Sequence, residues 1–171
     1  MLGSRKNSFT LIELLIVIFI LGILASLISS NFITSLKKGR DARRKADLEE
    51  IQRALEMYYE DQKYYPKFDI FSSNNYSLCQ TKIALNCETD NEKTYMQKIP
   101  NDPISGKTYE YQFDSNGSYY RLFACLENNQ QILPYSNLVV TPTISCSTRC
   151  KNNQGNEVTC IWAISSPNVN P

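Results

Sequence analysis

The hydrophobic pattern changes three times along the chain. Positions 14–36 hold no charged side chain, an uninterrupted run of 23 residues. As a helix this run measures about 34 Å against a bilayer hydrocarbon core of about 30 Å, so it is long enough to span. Residues 37–61 contain no proline, and only Gly39 disfavours a helix. Leu48, Ile51, Leu55 and Tyr58 fall at helical spacings there, which makes one apolar stripe able to pack on a sheet. Asp41 with Lys45 and Lys45 with Glu49 are spaced i,i+4, as expected of a charged outer face. Unbroken from Phe9 to Asp61, such a helix would reach about 80 Å, far longer than the domain that follows.

After Pro66 the period changes. The Asn-, Ser- and Tyr-rich stretch with Cys79 and Cys87 reads as a loop closed by one bridge, and Ile99-Pro-Asn-Asp-Pro-Ile-Ser-Gly106 accumulates turn residues. Tyr109, Tyr111 and Phe113 then alternate with polar residues, Asp114–Gly117 forms a turn, and Ser118–Leu126 is a second β-rich run, together a hairpin. Thr143–Cys150 and Glu157–Ile164 predict a second hairpin around Lys151–Asn156, with Trp162 as its core anchor. The fold class expected is α+β: a long N-terminal helix, apolar in one half and amphipathic in the other, packed on a small antiparallel sheet.

Charge alters this picture through its distribution. Eighteen Lys and Arg against 17 Asp and Glu leave a net +1, which excludes the basic excess of a dedicated nucleic-acid binder. Segment by segment the charge runs +2 over 1–8, −1 over 9–36, +5 over 37–45 and −5 from Ala46 onward. The absence of His removes Ser-His-Asp chemistry and His-containing zinc sites. With no G-x-S-x-G, P-loop or dinucleotide turn, nothing points to an enzyme or a cofactor. The six cysteines, 79, 87, 125, 146, 150 and 160, all follow the apolar run, which suits a disulfide framework in an oxidising compartment; zinc is the competing reading, though the spacings lack paired C-x-x-C units.

The N-terminus carries the most specific signal. A short basic leader ending Arg5-Lys-Asn-Ser8 precedes Phe9-Thr-Leu-Ile-Glu13-Leu-Leu and the apolar run. The string resembles the prepilin signal of type IV pilins and type II secretion pseudopilins. The resemblance implies cleavage between Ser8 and Phe9 by a membrane prepilin peptidase, which also methylates the new Phe9 amine. Ser8 stands where the family usually has Gly, and Ser30 where it commonly has a kinking Pro, leaving Gly22 as the place for local melting. RDARRKADLEEIQRALEMYYEDQKYYP and IPNDPISGKTYEYQ resemble later segments of the major pseudopilin, so the resemblance covers about residues 3–125 and implies a pilin-like fold. Major pseudopilins often end in a calcium-binding loop with several Asp residues; this chain has none after Asp114, and no metal is expected.

The division that follows is a cytoplasmic leader over 1–8, a transmembrane and filament-core helix over 9–36, its amphipathic continuation over 37–66, and an extracytoplasmic β-rich, disulfide-bonded domain over 67–171. Glu13, one turn inside an apolar helix, costs about 2.5 to 3.5 kcal/mol unpaired on insertion scales and is expected to serve assembly by pairing with a Phe9 amine. The six bases Lys37, Lys38, Arg40, Arg43, Arg44 and Lys45 conflict with the positive-inside rule, and the leader and cysteines outweigh that count; the cluster reads as a contact for anionic lipid headgroups or acidic filament neighbours, or as a solvated helix face. The expected function is a structural subunit of a type II secretion pseudopilus, with a surface pilin for adhesion, motility or DNA uptake as the alternative and a membrane-anchored binding or enzymatic ectodomain behind it. Expected partners are the prepilin peptidase, further copies of the chain with minor pilins or pseudopilins, an inner-membrane assembly platform and membrane lipids, with no specific nucleic acid. The expected location is the inner membrane in a single pass, then an extracytoplasmic filament.

Overall fold

The computed structural model describes residues 9–72, 76–84, 87 and 92–171, with the side chains of 27–31 and of Ile83 excepted. Helix α1 runs Leu11–Gln62, and the chain divides into two units, Met1–Leu36 and Lys37–Pro171. In the first unit the described apolar side chains are all exposed, from 83% at Leu11 down to 46% at Leu36. Among the described residues no helix is long and apolar enough to cross a membrane; the span expected over 14–36 includes 27–31, whose side chains lie outside the described set.

In the second unit the helix buries the stripe that its spacing predicts. Leu48, Ile51, Leu55 and Tyr58 are each at most 1% exposed and share one core with Leu78, Tyr95, Tyr109, Tyr111, Tyr120 and Leu122. The helix ends at Gln62, one residue past the Asp61 to which its pattern carries it. Lys63 takes a left-handed conformation, φ 64°, and its amide returns to the Tyr59 carbonyl at 2.8 Å, closing the last turn. Tyr65 N then donates to Gly117 O at 2.8 Å, so the hairpin turn holds the chain as it leaves the helix. Gly117 is required twice over: its φ is +70°, and a Cβ would lie 2.8 Å from the Tyr65 carbonyl oxygen.

Among the described residues three antiparallel sheets follow. β1 (Ser77–Cys79), β2 (Ile83–Ala84) and β3 (Thr94–Met96) are ordered β2-β1-β3; β4 (Glu110–Phe113), β5 (Tyr120–Cys125) and β8 (Ile161–Ser165) are ordered β4-β5-β8; β6 (Arg149–Lys151) and β7 (Glu157–Thr159) form a hairpin. The first hairpin is as expected, with Glu110 opposite Phe123 and Phe113 opposite Tyr120. Two expectations change. The stretch expected as a disulfide-closed loop contains a small sheet, built from strands too short to show a period. The second hairpin is only three residues per strand, because the chain breaks at Cys160 and β8 leaves it to pair with β5, Phe123 opposite Ala163. Trp162 packs half-buried under Lys45, whose Nζ lies 4.3 Å from the ring centroid.

Candidate functional site

At the start of α1, Thr10 and Glu13 form a reciprocal cap. Glu13 N donates to Thr10 Oγ1 at 3.4 Å, and Thr10 N and Oγ1 donate to Glu13 Oε2 at 3.5 and 3.4 Å. This is the S/T-x-x-E capping box, which satisfies two amides that a helix N-terminus otherwise leaves without partners. The pattern Thr10-x-x-Glu13 was present in the sequence and is a second use for the carboxylate, beside the assembly role expected of it. Phe9 is 78% exposed directly before the cap. Ser8, the other side of the expected cleavage bond, lies outside the described residues.

Half of the basic cluster turns toward the domain, contrary to a contact surface made of all six residues. Arg44 is fully buried. Its Nε and Nη2 donate to both oxygens of Asp102 at 2.6 and 2.9 Å, and its Nη1 to Asp41 at 2.9 Å, while the same Nη1 lies 2.6 Å from Glu127. Arg40 takes the two Glu127 oxygens at 3.0 and 2.6 Å. Asp41, expected on the charged outer face, is 3% exposed and accepts the backbone amides of Glu127 and Asn128 and the Gln131 amide at 2.8 to 3.1 Å. Lys45 donates to Gln131 at 2.9 Å. Only Lys37, Lys38 and Arg43 of the cluster remain exposed.

This network locks the loop after β5 and the Asp102 turn onto the helix. Hydrogen bonds from Arg40 and then Arg44 hold Glu127 down at about 2, against the desolvation that would raise it. Burial alone would lower the Arg44 pKa, but hydrogen bonds to Asp102 and Glu127 more than reverse this, so its pKa is raised. Burial raises Asp47, opposed by the hydrogen bond from Tyr109 at 2.7 Å. The loop after β5 offers a single carboxylate, Glu127, and both its oxygens are held by arginines. That donor set does not fit the calcium ion of the family's C-terminal loop.

The cysteines pair as Cys79–Cys87, Cys125–Cys146 and Cys150–Cys160. The first bridge closes the segment after β1, the second ties the end of β5 to the segment leading into β6, and the third joins β6 to the residue before β8. Of the last four cysteines, Cys125 and Cys146 link β5 to the segment before β6, while Cys150 and Cys160 close the β6–β7 hairpin on itself. Beside the exposed face of α1 runs an open groove of about 1140 Å³, lined by Glu49, Glu50, Arg53, Met57 and Tyr95–Lys98 among others.

A basic leader, a capped apolar helix with every described apolar side chain exposed, and a helix stripe docked on antiparallel sheet point to one group of proteins. The prokaryotic N-terminal methylation motif matches residues 3–29, and the type II secretion system (T2SS) protein G family matches residues 31–132, more than half of the chain. The chain belongs to the T2SS protein G family. Type II secretion system core protein G of Pectobacterium carotovorum subsp. carotovorum is 30% identical over 70% of this chain and 74% of its own length. The protein of the same name in Vibrio cholerae serotype O1 is 33% identical over 63% and 70%, and that of Escherichia coli K12 30% over 71% and 82%. No solved structure matches the chain. The family match stops at residue 132, so β6, β7, β8 and two of the three disulfides, in whole or part, belong to a C-terminal segment beyond it.

Proposed function

We propose that this protein is the major pseudopilin of a type II secretion system: a structural, non-catalytic subunit cut between Ser8 and Phe9, methylated on Phe9 and polymerised through residues 9–61. The observation that supports it best is the methylation motif over 3–29 set directly against a helix whose apolar side chains have no cover of their own. Apolar surface on that scale needs lipid before assembly and neighbouring helices after it. On this reading the 14–36 run anchors the subunit in the inner membrane with residues 67–171 outside the cytoplasm, where the three disulfides are stable. A prepilin peptidase, minor pseudopilins and an assembly platform are the partners that go with it.

Glu13 is the residue that separates an assembly role from a purely local one. Once Phe9 is the N-terminus, its amine is a cation, and pairing with Glu13 of a neighbour inside an apolar bundle would favour addition of the correct subunit in register. Glu13→Gln keeps a side chain able to accept in the capping box but removes the charge; Glu13→Val removes both. Both variants are expected to insert normally and to form few or no filaments. Wild-type filament numbers from Glu13→Gln would leave Glu13 as a helix cap and nothing more.

A further inference from the structure

Tyr120, Leu122 and Ala124 of β5 face the core that α1 shares, so Arg121, by strand alternation, stands on the opposite face, in a row with Gln112 of β4 and Ser165 of β8. Its side chain is buried, 8% exposed, and its charge is left unanswered. Nε donates to the Asn170 carbonyl at 3.0 Å, and the guanidinium lies over the Tyr119 ring, 4.8 Å from the centroid. Its two Nη groups make no hydrogen bond or ion pair among the described residues. The carboxylate of Glu110, on the same face of β4, is spent on the amides of Thr143 and Ile144 at 2.7 to 3.0 Å. Arg44, the other buried arginine among the described residues, meets three carboxylates, as a guanidinium taken out of water ordinarily requires. The one fully enclosed side-chain donor without a partner among the described residues is Trp162 Nε1. The Nη groups of Arg121 are therefore not sealed into apolar packing; the residue lines an open pocket of about 320 Å³.

The other walls are Val139, Pro167, Asn168, Val169 and Asn170. They are held in place from behind. Asn168 Nδ2 donates to Ser118 O at 2.9 Å and its Oδ1 accepts Ser166 Oγ at 2.6 Å, the Val169 carbonyl accepts Ser165 Oγ at 2.7 Å, and Val139 N donates to Pro171 O at 3.1 Å. We propose that this pocket binds a carboxylate on a short aliphatic stem, the group that a free branched-chain acid or the last residue of a polypeptide presents. With Nε already used, the two Nη groups can take both carboxylate oxygens end-on. Val139, Pro167 and Val169 give the stem an apolar wall, and the volume lies at the lower end of the roughly 300–1,000 Å³ typical of small-molecule sites. A single guanidinium balances a single negative charge, which favours a carboxylate over a doubly charged phosphate. All the walls except Arg121 lie beyond residue 132, where the family match ends, so the site belongs to this chain's C-terminal segment and stands independently of the filament reading.

The probe is isovalerate, with isovaleramide as its uncharged counterpart, titrated against the full chain in detergent at low salt and followed by saturation-transfer NMR on the methyl signals of the probe. Isovalerate is expected to bind saturably and isovaleramide about tenfold more weakly or worse, the scale of a hydrogen bond to a charged group. Arg121→Gln should weaken isovalerate by a similar factor, and so should Val169→Phe, which fills the pocket and leaves the guanidinium in place. Electrophoresis without reductant, showing the three bridges closed, confirms that each variant has folded; should Arg121→Gln fail it, the amide comparison and Val169→Phe decide. The tripeptide Gly-Gly-Val separates the sources: binding tighter than isovalerate and lost on C-terminal amidation assigns a polypeptide terminus, weaker binding assigns a free acid, and either result upholds the carboxylate site. No saturable binding of isovalerate, isovaleramide binding as tightly, inorganic phosphate displacing isovalerate as well as isovalerate itself does, or wild-type affinity in the folded variants overturns the proposal.

Discussion

Replacing Arg44 by Met tests what holds the C-terminal segment to the helix. The guanidinium is fully buried and is the shared partner of Asp41, Asp102 and Glu127. Met keeps the unbranched apolar stem of the side chain but leaves Asp102 without its bidentate partner and Asp41 and Glu127 facing each other with less compensation. Removing one partner of a buried ion group costs about 3 to 5 kcal/mol, against a domain stability of about 5 to 15, so the variant should lose a large part of its margin. The chain has one tryptophan, Trp162, packed under Lys45 one helical position from Arg44, and its fluorescence reports denaturant unfolding of the full chain in detergent. Acid supplies the second arm. Glu127 is held at about 2 in the folded protein, so its contribution is complete above the ordinary carboxylate range and is lost as pH falls from about 4.5 towards 2. The gap between wild type and Arg44→Met should therefore narrow as pH falls through that window, because protonation removes the charges that the variant leaves unpaired. A deficit below about 1 kcal/mol at neutral pH, the value of a surface pair, would refute the idea that this network carries the docking of the loop.

Three further outcomes are expected. Reduction of the full chain should unfold its second unit, each bridge contributing about 2 to 4 kcal/mol, and reductant without change in Trp162 fluorescence would contradict this; a chelator should leave the unfolding curve where it is. Gly117→Ala should lower stability by about 1 to 3 kcal/mol, since Cβ would meet the Tyr65 carbonyl in a left-handed conformation, as read from the unfolding midpoint. Thr10→Ala should weaken the first turn of α1 by about 1 kcal/mol, seen as faster amide exchange there, while leaving membrane association unchanged.

The long helix was legible because two of its signals are local: an uncharged run, then an apolar stripe of constant spacing. The direction of the basic cluster is also encoded in the sequence, but in its helical phase and not in its charge count. Asp41 and Arg44 precede Leu48 by seven and four positions, so they continue the Leu48, Ile51, Leu55, Tyr58 stripe backward and go into the domain with it. A count of charges along a line hides this; a projection on the helix shows it. Their partners could not be read locally, since Asp102 and Glu127 lie 58 and 83 positions from Arg44 and depend on how a turn and a loop close. Strands β1 to β3 are two or three residues long, below any recognisable period. Proximity in sequence favours β8 as the second strand of a local hairpin, but β5, buried at nearly every position, offers the better partner.

The central claim is that residues 1–8 are removed and that Phe9 becomes the methylated first residue of a polymerising subunit. Mass spectrometry of the N-terminal peptide, from protein recovered in membranes and from sheared filaments, tests it directly. The account predicts a peptide beginning at Phe9 with a methylated amine in both fractions. A peptide retaining Met1 to Ser8 on most of the protein, above all in filaments, would contradict it.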